Sequence, residues 1–365
     1  MVAVTMGDLK VRARNGRKIT SAFASLPLTT EYRGEGPIFR SWPRPSRRPT
    51  RRCSQLALLL GCGLLSAALL AAEPVRTGAL PKRSDVERVL SQADGQRQSR
   101  APDRPLTLVL VANQKDHGPL EHDYPRWQSR WALWLGGSAA SAEEAANLVG
   151  PDLPDPSAWK GAPHVRVLSA QQWPDSTQWE TADLIVAFCY LAWSAPRVEQ
   201  VRQYVDRGGG LVLIHSATWT KPNPSPDVAS VCGVGGFQRW RHGAVTLEMT
   251  KPDHPILLGV PATISLPDET YWPPTPAIDA QRVQVLASSQ EQTHPGQADS
   301  SLQPMFWTYE RGRGRVFGCV LGHYSATFDH PYFRLVLLRG MAWAARENPY
   351  RFDELVLRSA MVAEE

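Results

Sequence analysis

Six residues of this chain combine chemically useful side chains with suggestive positions: His117, His122, His215, His242, Glu269 and His323. Imidazole titrates near neutrality and binds metals through a neutral ring nitrogen, so one such group can serve as acid, base or ligand. The stretch "DHGPLEHDYP" (116–125) packs His117, Glu121, His122 and Asp123 beside two prolines. Its two histidines are five apart, on different faces of any helix, so they do not match a helical zinc motif. "PDETYW" (267–272) adds Asp268 and Glu269. Trp219, Trp240 and Trp272 lie within a few residues of His215, His242 and Glu269. Rings beside polar groups suit the faces of sugars, although core packing is the commoner fate of any one tryptophan. A lone histidine is likewise more often structural. What favours a site is that all six fall in predicted loops or strand ends, where an open α/β sheet gathers its ligands.

The elements that would position them follow from hydrophobic patterning. "PLTLVLVA" (105–112), "HVRVL" (164–168), "ADLIVAFC" (182–189) and "LVLIH" (211–215) read as strands. Between the last two, "APRVEQVRQYVDRGGG" reads as a helix with Val198, Val201, Tyr204 and Val205 on one stripe, stopped at Gly208. Trp127, Trp131 and Trp134 recur at helical spacing and are expected to pack into the core. Alternation of strand and helix implies a doubly wound parallel sheet. After residue 240 the pattern shifts to short β segments, with "ERGRGR" turning one strand into the next as a hairpin. A last helix, "YFRLVLLRGMAWAARE", closes the domain.

Several chemistries are excluded. "GVGG" and "RGGG" lack the context of a phosphate loop, so no nucleotide cofactor is expected. No G-x-S-x-G elbow occurs. Cys189, Cys232 and Cys319 form neither a disulfide framework nor a zinc pattern. The net charge is +5, but residues 1–55 alone carry twelve basic and three acidic residues, leaving the remainder at −4. A nucleic-acid footprint is therefore not supported.

The N-terminal part reads as a targeting region. Residues 1–55 form a basic leader, too long for an ordinary signal, which implies a start site set upstream of the true one. Residues 56–72, "LALLLGCGLLSAALLAA", are an uncharged run behind a basic flank, as in an export signal or an uncleaved anchor. Residues 73–103 read as a linker, 104–348 as the folded domain and 349–365 as a C-terminal tail. The protein is thus expected outside the cytoplasm, periplasmic or membrane-anchored, touching the membrane only through its N-terminal segment.

Taken in order, "KDHGPLEHDYP", "VDRGGGLVLIHSATW", "GGFQRWRH", "DHPILLGVP", "DETYW", "RGRGRVFGCVLGH" and "YFRLVLLRGMAWAA" make residues 105–346 resemble the trehalose-utilisation (ThuA-like) family of the class I glutamine amidotransferase-like superfamily. The resemblance implies a flavodoxin-like α/β fold with added β-hairpin elements in its C-terminal half. Where an amidotransferase presents a nucleophilic cysteine, this strand ends at His215 and Ser216, so glutaminase activity is not expected. The resemblance also implies action on a small-molecule carbohydrate, as a hydrolase, lyase or isomerase of a sugar or keto-sugar derivative. On it, His215, Glu269 and His323 are expected to be catalytic. His117, His122, Trp219, Trp240 and Trp272 are expected to bind substrate, and His215, His242 and His323 to hold a zinc-like divalent metal. The alternative is a non-catalytic glycan- or protein-binding module on the same scaffold, and either form could assemble as a homo-oligomer.

Overall fold

The structure, a computed structural model, describes residues 79–98, 103–137, 161–293 and 298–363. All of these belong to one of the chain's two compact units, Leu69–Glu365. The expected leader and the apolar run at 56–72 lie outside the described residues. Among the described residues, no helix is long and apolar enough to cross a membrane.

A nine-stranded mixed sheet organises the α/β unit. Its strands are β1 (Leu106–Ala112), β2 (Val165–Gln171), β3 (Leu184–Ala187), β4 (Gly210–Ile214), β5 (Phe237–Met249), β6 (Thr263–Pro274), β7 (Val283–Gln292), β8 (Ser300–Arg311) and β9 (Gly314–Cys319). They lie in the order β2-β1-β3-β4-β9-β8-β7-β5-β6. Pairing is parallel from β2 to β9 and antiparallel from β9 to β6. The C-terminal strands therefore extend the sheet instead of decorating it. The expected hairpin joins β8 to β9, and β9 then lies parallel to β4. Every residue of β3 and β4 is buried, which explains their unbroken apolar runs: strands covered on both faces have no polar side to alternate with.

The described helices are α1 (Arg83–Ser91), α2 (Asp94–Gln98), α3 (Tyr124–Gly136), α4 (Ser176–Thr181), α5 (Ala195–Asp206), α6 (Pro226–Cys232) and α7 (Pro331–Ala344). Trp127, Trp131 and Trp134 of α3 are buried, as their spacing predicts. α5 ends where Gly208 adopts φ +117°, and a Cβ on Gly210 would sit 2.5 Å from the Ala344 carbonyl oxygen. The "GGG" motif thus stops a helix and lets β4 pass close beneath α7. All of α7 is buried, including Arg334 and Arg339. Arg339 is neutralised by bidentate hydrogen bonds to buried Asp353, at 3.0 and 2.8 Å.

Two segments do more than their composition suggested. Within 73–103, read as a linker, Val86 and Val89 of α1 join the core. Within 349–365, read as a tail, a 3-10 turn at Pro349–Leu355 buries Phe352 and Leu355 and supplies the Asp353 partner of α7. Both strands of the β5–β6 ribbon are also longer than the sequence suggested. β6 runs through Pro267 and the "PDE" triplet. Proline is nevertheless tolerated in β6 because that strand lies at the sheet edge, where no further ladder needs its missing N–H.

Candidate functional site

Three histidines reach one place from three parallel strands. His122 lies on the loop after β1, His215 immediately follows β4, and His323 follows β9. These are carboxyl ends of neighbouring or near-neighbouring strands, which open on the same rim of the sheet. Glu269 joins them from β6. Ligand atoms of His122, His215, Glu269 and His323 all lie within 4.8 Å of one another. His122 and His215 are fully buried, and His323 and Glu269 nearly so.

A chain of contacts holds this set together. The β1 loop pairs with the β9 loop through His122 N–H donating to the His323 carbonyl (2.9 Å) and Ser325 N–H donating to the Leu120 carbonyl (2.8 Å). Buried Asp268 then ties the β9 loop to β6. Its carboxylate accepts from Gly322 N–H (3.1 Å), His323 N–H (3.0 Å), the Thr327 hydroxyl (2.5 Å) and Glu269 N–H (2.7 Å). Two residues on from Glu269, and so on the same strand face, Tyr271 stacks on His215 with ring centroids 4.8 Å apart. Its hydroxyl lies 2.9 Å from His215 Nε2 and 3.1 Å from Glu269 Oε2. His122 and His215 both adopt left-handed backbone, with φ 41° and 50°. For L-residues other than Asn and Asp that conformation costs roughly 1–2 kcal/mol, and such strain concentrates at functional positions.

The ring nitrogens decide what the set can do. His215 Nδ1 lies 2.7 Å from the Val320 carbonyl oxygen, which can only accept, so Nδ1 carries the proton. His122 Nδ1 lies 2.9 Å from the Asp116 carboxylate and 2.7 Å from the Tyr124 hydroxyl, itself placed to donate to the other Asp116 oxygen. That nitrogen carries a proton as well. In the neutral rings both Nε2 atoms are then bare lone pairs, yet they face each other at 2.9 Å. Glu269 Oε2 lies 3.2 Å from His215 Nε2 and 2.9 Å from His323 Nδ1. The Tyr271 hydroxyl and His323 Nδ1 can donate into this set, and a proton or a cation between the facing Nε2 atoms would be stabilised there. Burial, then repulsion from His215, pushes His122 down to about 3, which disfavours storing a proton on that ring. Burial alone would raise the Glu269 carboxyl, but hydrogen bonding to His215 and His323 outweighs it and holds Glu269 well below the usual carboxylate range.

A divalent metal fits this donor set. A tetrahedral ion with bonds of about 2.0–2.1 Å separates its ligands by roughly 3.3 Å. Four of the six ligand–ligand separations here run from 2.9 to 3.3 Å, and all lie within 4.8 Å. Metal-ligating histidines characteristically donate their far ring nitrogen to a carboxylate or carbonyl, which Asp116 does for His122 and Val320 for His215. The far nitrogen of His323, Nε2, is buried without a hydrogen-bond partner among the described residues, and the Glu121 carboxylate stands 3.9 Å away.

The remaining expected site residues divide. His117 is half-exposed at the rim, hydrogen-bonded to Asp116 at 2.8 Å. His242, expected among the metal ligands, sits on β5 opposite Glu269. Its Nε2 is 3.8 Å from Glu269, and it is 40% exposed, so it borders the cluster without entering it. His122, expected to touch substrate, takes that inner place. Trp272 is buried and donates to the Gln292 carbonyl (2.8 Å), a structural role. Trp219 packs against Tyr271 in a T-shaped contact with ring centroids 4.8 Å apart. Trp240 alone of the three keeps an open face, 58% exposed beside His242. Asp116, Tyr124 and Tyr271 were not legible as site residues. The one available signal was "ETY", which places Tyr271 on the Glu269 face once 267–272 is read as strand.

The trehalose-utilisation (ThuA) family matches residues 165–344. Residues 165–344 are a ThuA-family domain. The match begins at β2, so His215, Glu269 and His323 lie inside it, whereas Asp116 and His122 precede it. No curated protein matches the chain. Among solved structures, the chain is similar to a thua-like protein of Bacteroides uniformis at 16% identity and TM-score 0.49, covering 69% of this chain and 98% of that one. It is also similar to a thua-like protein of Parabacteroides merdae at 20% identity and TM-score 0.43, covering 66% and 90%. A β-galactosidase of Rahnella sp. is similar at 13% identity and TM-score 0.40, covering 66% and 31%.

Proposed function

We propose that this ThuA-family protein is an exported enzyme acting on a carbohydrate or keto-sugar derivative, with acid/base chemistry at the His122–His215–Glu269–His323 centre around a divalent cation. The observation that carries the reading is the pair of facing Nε2 lone pairs on His122 and His215, each fixed by a donor hydrogen bond on the opposite ring nitrogen. His122, His215 and His323 would hold the ion, with Glu269 beside it. When bound, such an ion polarises a carbonyl or lowers the pKa of water. Glu269 accepts or returns a proton at Oε2, and Tyr271 donates a hydrogen bond to that same oxygen. Trp240 and His242 offer a ring face and a hydrogen-bonding edge where a sugar would approach.

The parallel order β2-β1-β3-β4-β9 supports a flavodoxin-like, amidotransferase-related winding, and His215 occupies the strained turn after β4. Cysteine chemistry is a poor alternative, because burial pushes the Cys189 thiol up to about 12. Export rests on the 56–72 run alone, and the mildly acidic body suits a small neutral substrate better than a nucleic acid. The deciding experiment is metal analysis of the purified protein followed by a turnover screen of sugars and keto-sugars. Stoichiometric metal with turnover supports the reading; metal-free protein that turns over none of them sinks it. A second reading, a non-catalytic glycan-binding module, draws on the exposure of Trp240, since an open indole binds sugar without any ring nitrogen being reachable.

A further inference from the structure

Tyr190 and Lys221 stand beside the centre on its His122 side. Tyr190, on the loop after β3, is half-buried, and its ring meets the His122 ring in a T-shaped contact with centroids 5.9 Å apart. Lys221 is exposed, and its Nζ lies 3.4 Å from the centroid of the Tyr190 ring, where an ammonium is attracted to the aromatic face. The chain leading to Lys221 is pinned to the same centre. It leaves the 3-10 turn His215–Thr218, in which the Thr218 hydroxyl donates to the His215 carbonyl (2.6 Å), and continues through Trp219, packed on Tyr271. Among the described residues Lys221 has no ion-pair or hydrogen-bond partner. The carboxylates of the cluster are engaged elsewhere: Asp116 with His117, His122 and Tyr124, and Glu269 with His215, His323 and Tyr271. A solvent-reachable cation whose N–H groups all lack an acceptor is therefore held one aromatic ring away from the ligand set. Such an ammonium pairs with a carboxylate or phosphate oxygen as a point charge.

We propose that Lys221, seated on Tyr190, sets the specificity of this centre: the sugar it takes carries one anionic group, a carboxylate or a phosphate ester, which pairs with Lys221 Nζ while the rest of the molecule reaches the His122–His215–Glu269–His323 set. The inference rests on the enzymatic reading for the reaction but not for the binding. The mildly acidic body weighs against a polyanion, not against a single charge placed at Lys221.

The test is isothermal titration of the full-length protein with D-glucuronate, D-glucose 6-phosphate and D-glucose at matched ionic strength, with the turnover screen extended to sugar acids and sugar phosphates. One anion should bind more tightly than glucose, and the tighter of the two identifies the group. Lys221→Met keeps an unbranched chain over the Tyr190 ring and removes the charge. Kd and KM for the anionic sugar should rise about 10–100-fold in it, with kcat, metal content and glucose affinity as in the wild type. Lys221→Arg, which keeps the charge, should recover most of the affinity. Glucose binding as tightly as either anion, or an unaltered Kd for the anion in Lys221→Met, would overturn the assignment. Turnover of neutral sugars that is unaffected by Lys221→Met keeps the enzyme and removes this inference. Binding of an anionic sugar that depends on Lys221, without any turnover, keeps the inference and removes the enzyme.

Discussion

His122 and His215, 93 residues apart in the chain, bring their Nε2 atoms to 2.9 Å, and neither ring can supply the proton for that contact from its far side. The centre is consequently a place where positive charge is stabilising, and its behaviour follows from that.

Substituting His215→Asn removes one Nε2 while keeping a residue that tolerates φ 50°. Metal content should fall from stoichiometric to near zero, and turnover by about 10²–10⁴-fold. Chelation of the wild type should lower Tm, by an amount equivalent to about 3 kcal/mol if free metal had stood 100-fold above its Kd. The effect should shrink toward pH 5, where protons compete for the imidazoles. Chelator-insensitive Tm at pH 7.5 would argue against a bound ion.

Asp116→Asn keeps the size of the group but lets His122 Nδ1 lose its charged acceptor. Metal affinity, read by competition with a chromogenic chelator, should drop about 10–100-fold, with the urea stability of the metal-free protein nearly unchanged because Asp116 is half-exposed. Unchanged affinity would reduce Asp116 to a surface residue.

Asp268 is fully buried, and burial raises its carboxyl despite the neighbouring His215. Asp268→Ala strips the acceptor from three backbone N–H groups and one hydroxyl. Each unsatisfied buried donor costs about 1–3 kcal/mol, so a loss of several kcal/mol is expected in urea unfolding. Thr327→Ala, losing one partner, should cost about 1 kcal/mol.

His330 caps α7 by accepting the Phe333 N–H at Nδ1, which requires the neutral ring. Burial, reinforced by Arg334, pushes it down to about 4. Between its ordinary value near 6.5 and about 4, the unfolded chain binds a proton that the folded one refuses. Stability from this group is therefore full above pH 6.5 and falls as pH drops toward 4, by about 1.4 kcal/mol per unit. His330→Asn retains a good cap without titrating. Between pH 7 and pH 5 it should lose about 2 kcal/mol less than the wild type. Identical losses would mean that His330 does not titrate in that window.

Trp240→Ala should weaken sugar binding while sparing metal content, and His215→Asn should do the reverse if the protein is only a binding module. Isothermal titration of both variants with the best ligand of the screen separates an enzyme that needs the histidines from a module that needs the indole.

Much of the scaffold was visible in the residues. β1, β3 and β4 are apolar runs flanked by turn residues, α3 shows its tryptophan stripe, and "ERGRGR" marks the β8–β9 hairpin. The β5–β6 ribbon was visible only in part, as short β segments after residue 240, because Pro267 interrupts the strand pattern and only the edge position of β6 makes it tolerable. The core roles of 83–91 and 349–355 were hidden for a similar reason. Their few apolar residues look like linker composition until α7 lies against them.

What the residues alone determined is that histidines would stand at the carboxyl ends of parallel strands, because strand periodicity and chain order settle which loops share a rim. That Glu269 reaches them from within antiparallel β6 was not determined there. Which of them meet was decided by the tertiary structure. His122 displaced His242 from the inner set because the β1 loop pairs with the β9 loop, and Tyr271 entered because β6 runs straight through "PDETYW". Those outcomes depend on ångström-scale contacts between segments distant in the chain, and no local pattern encodes such distances.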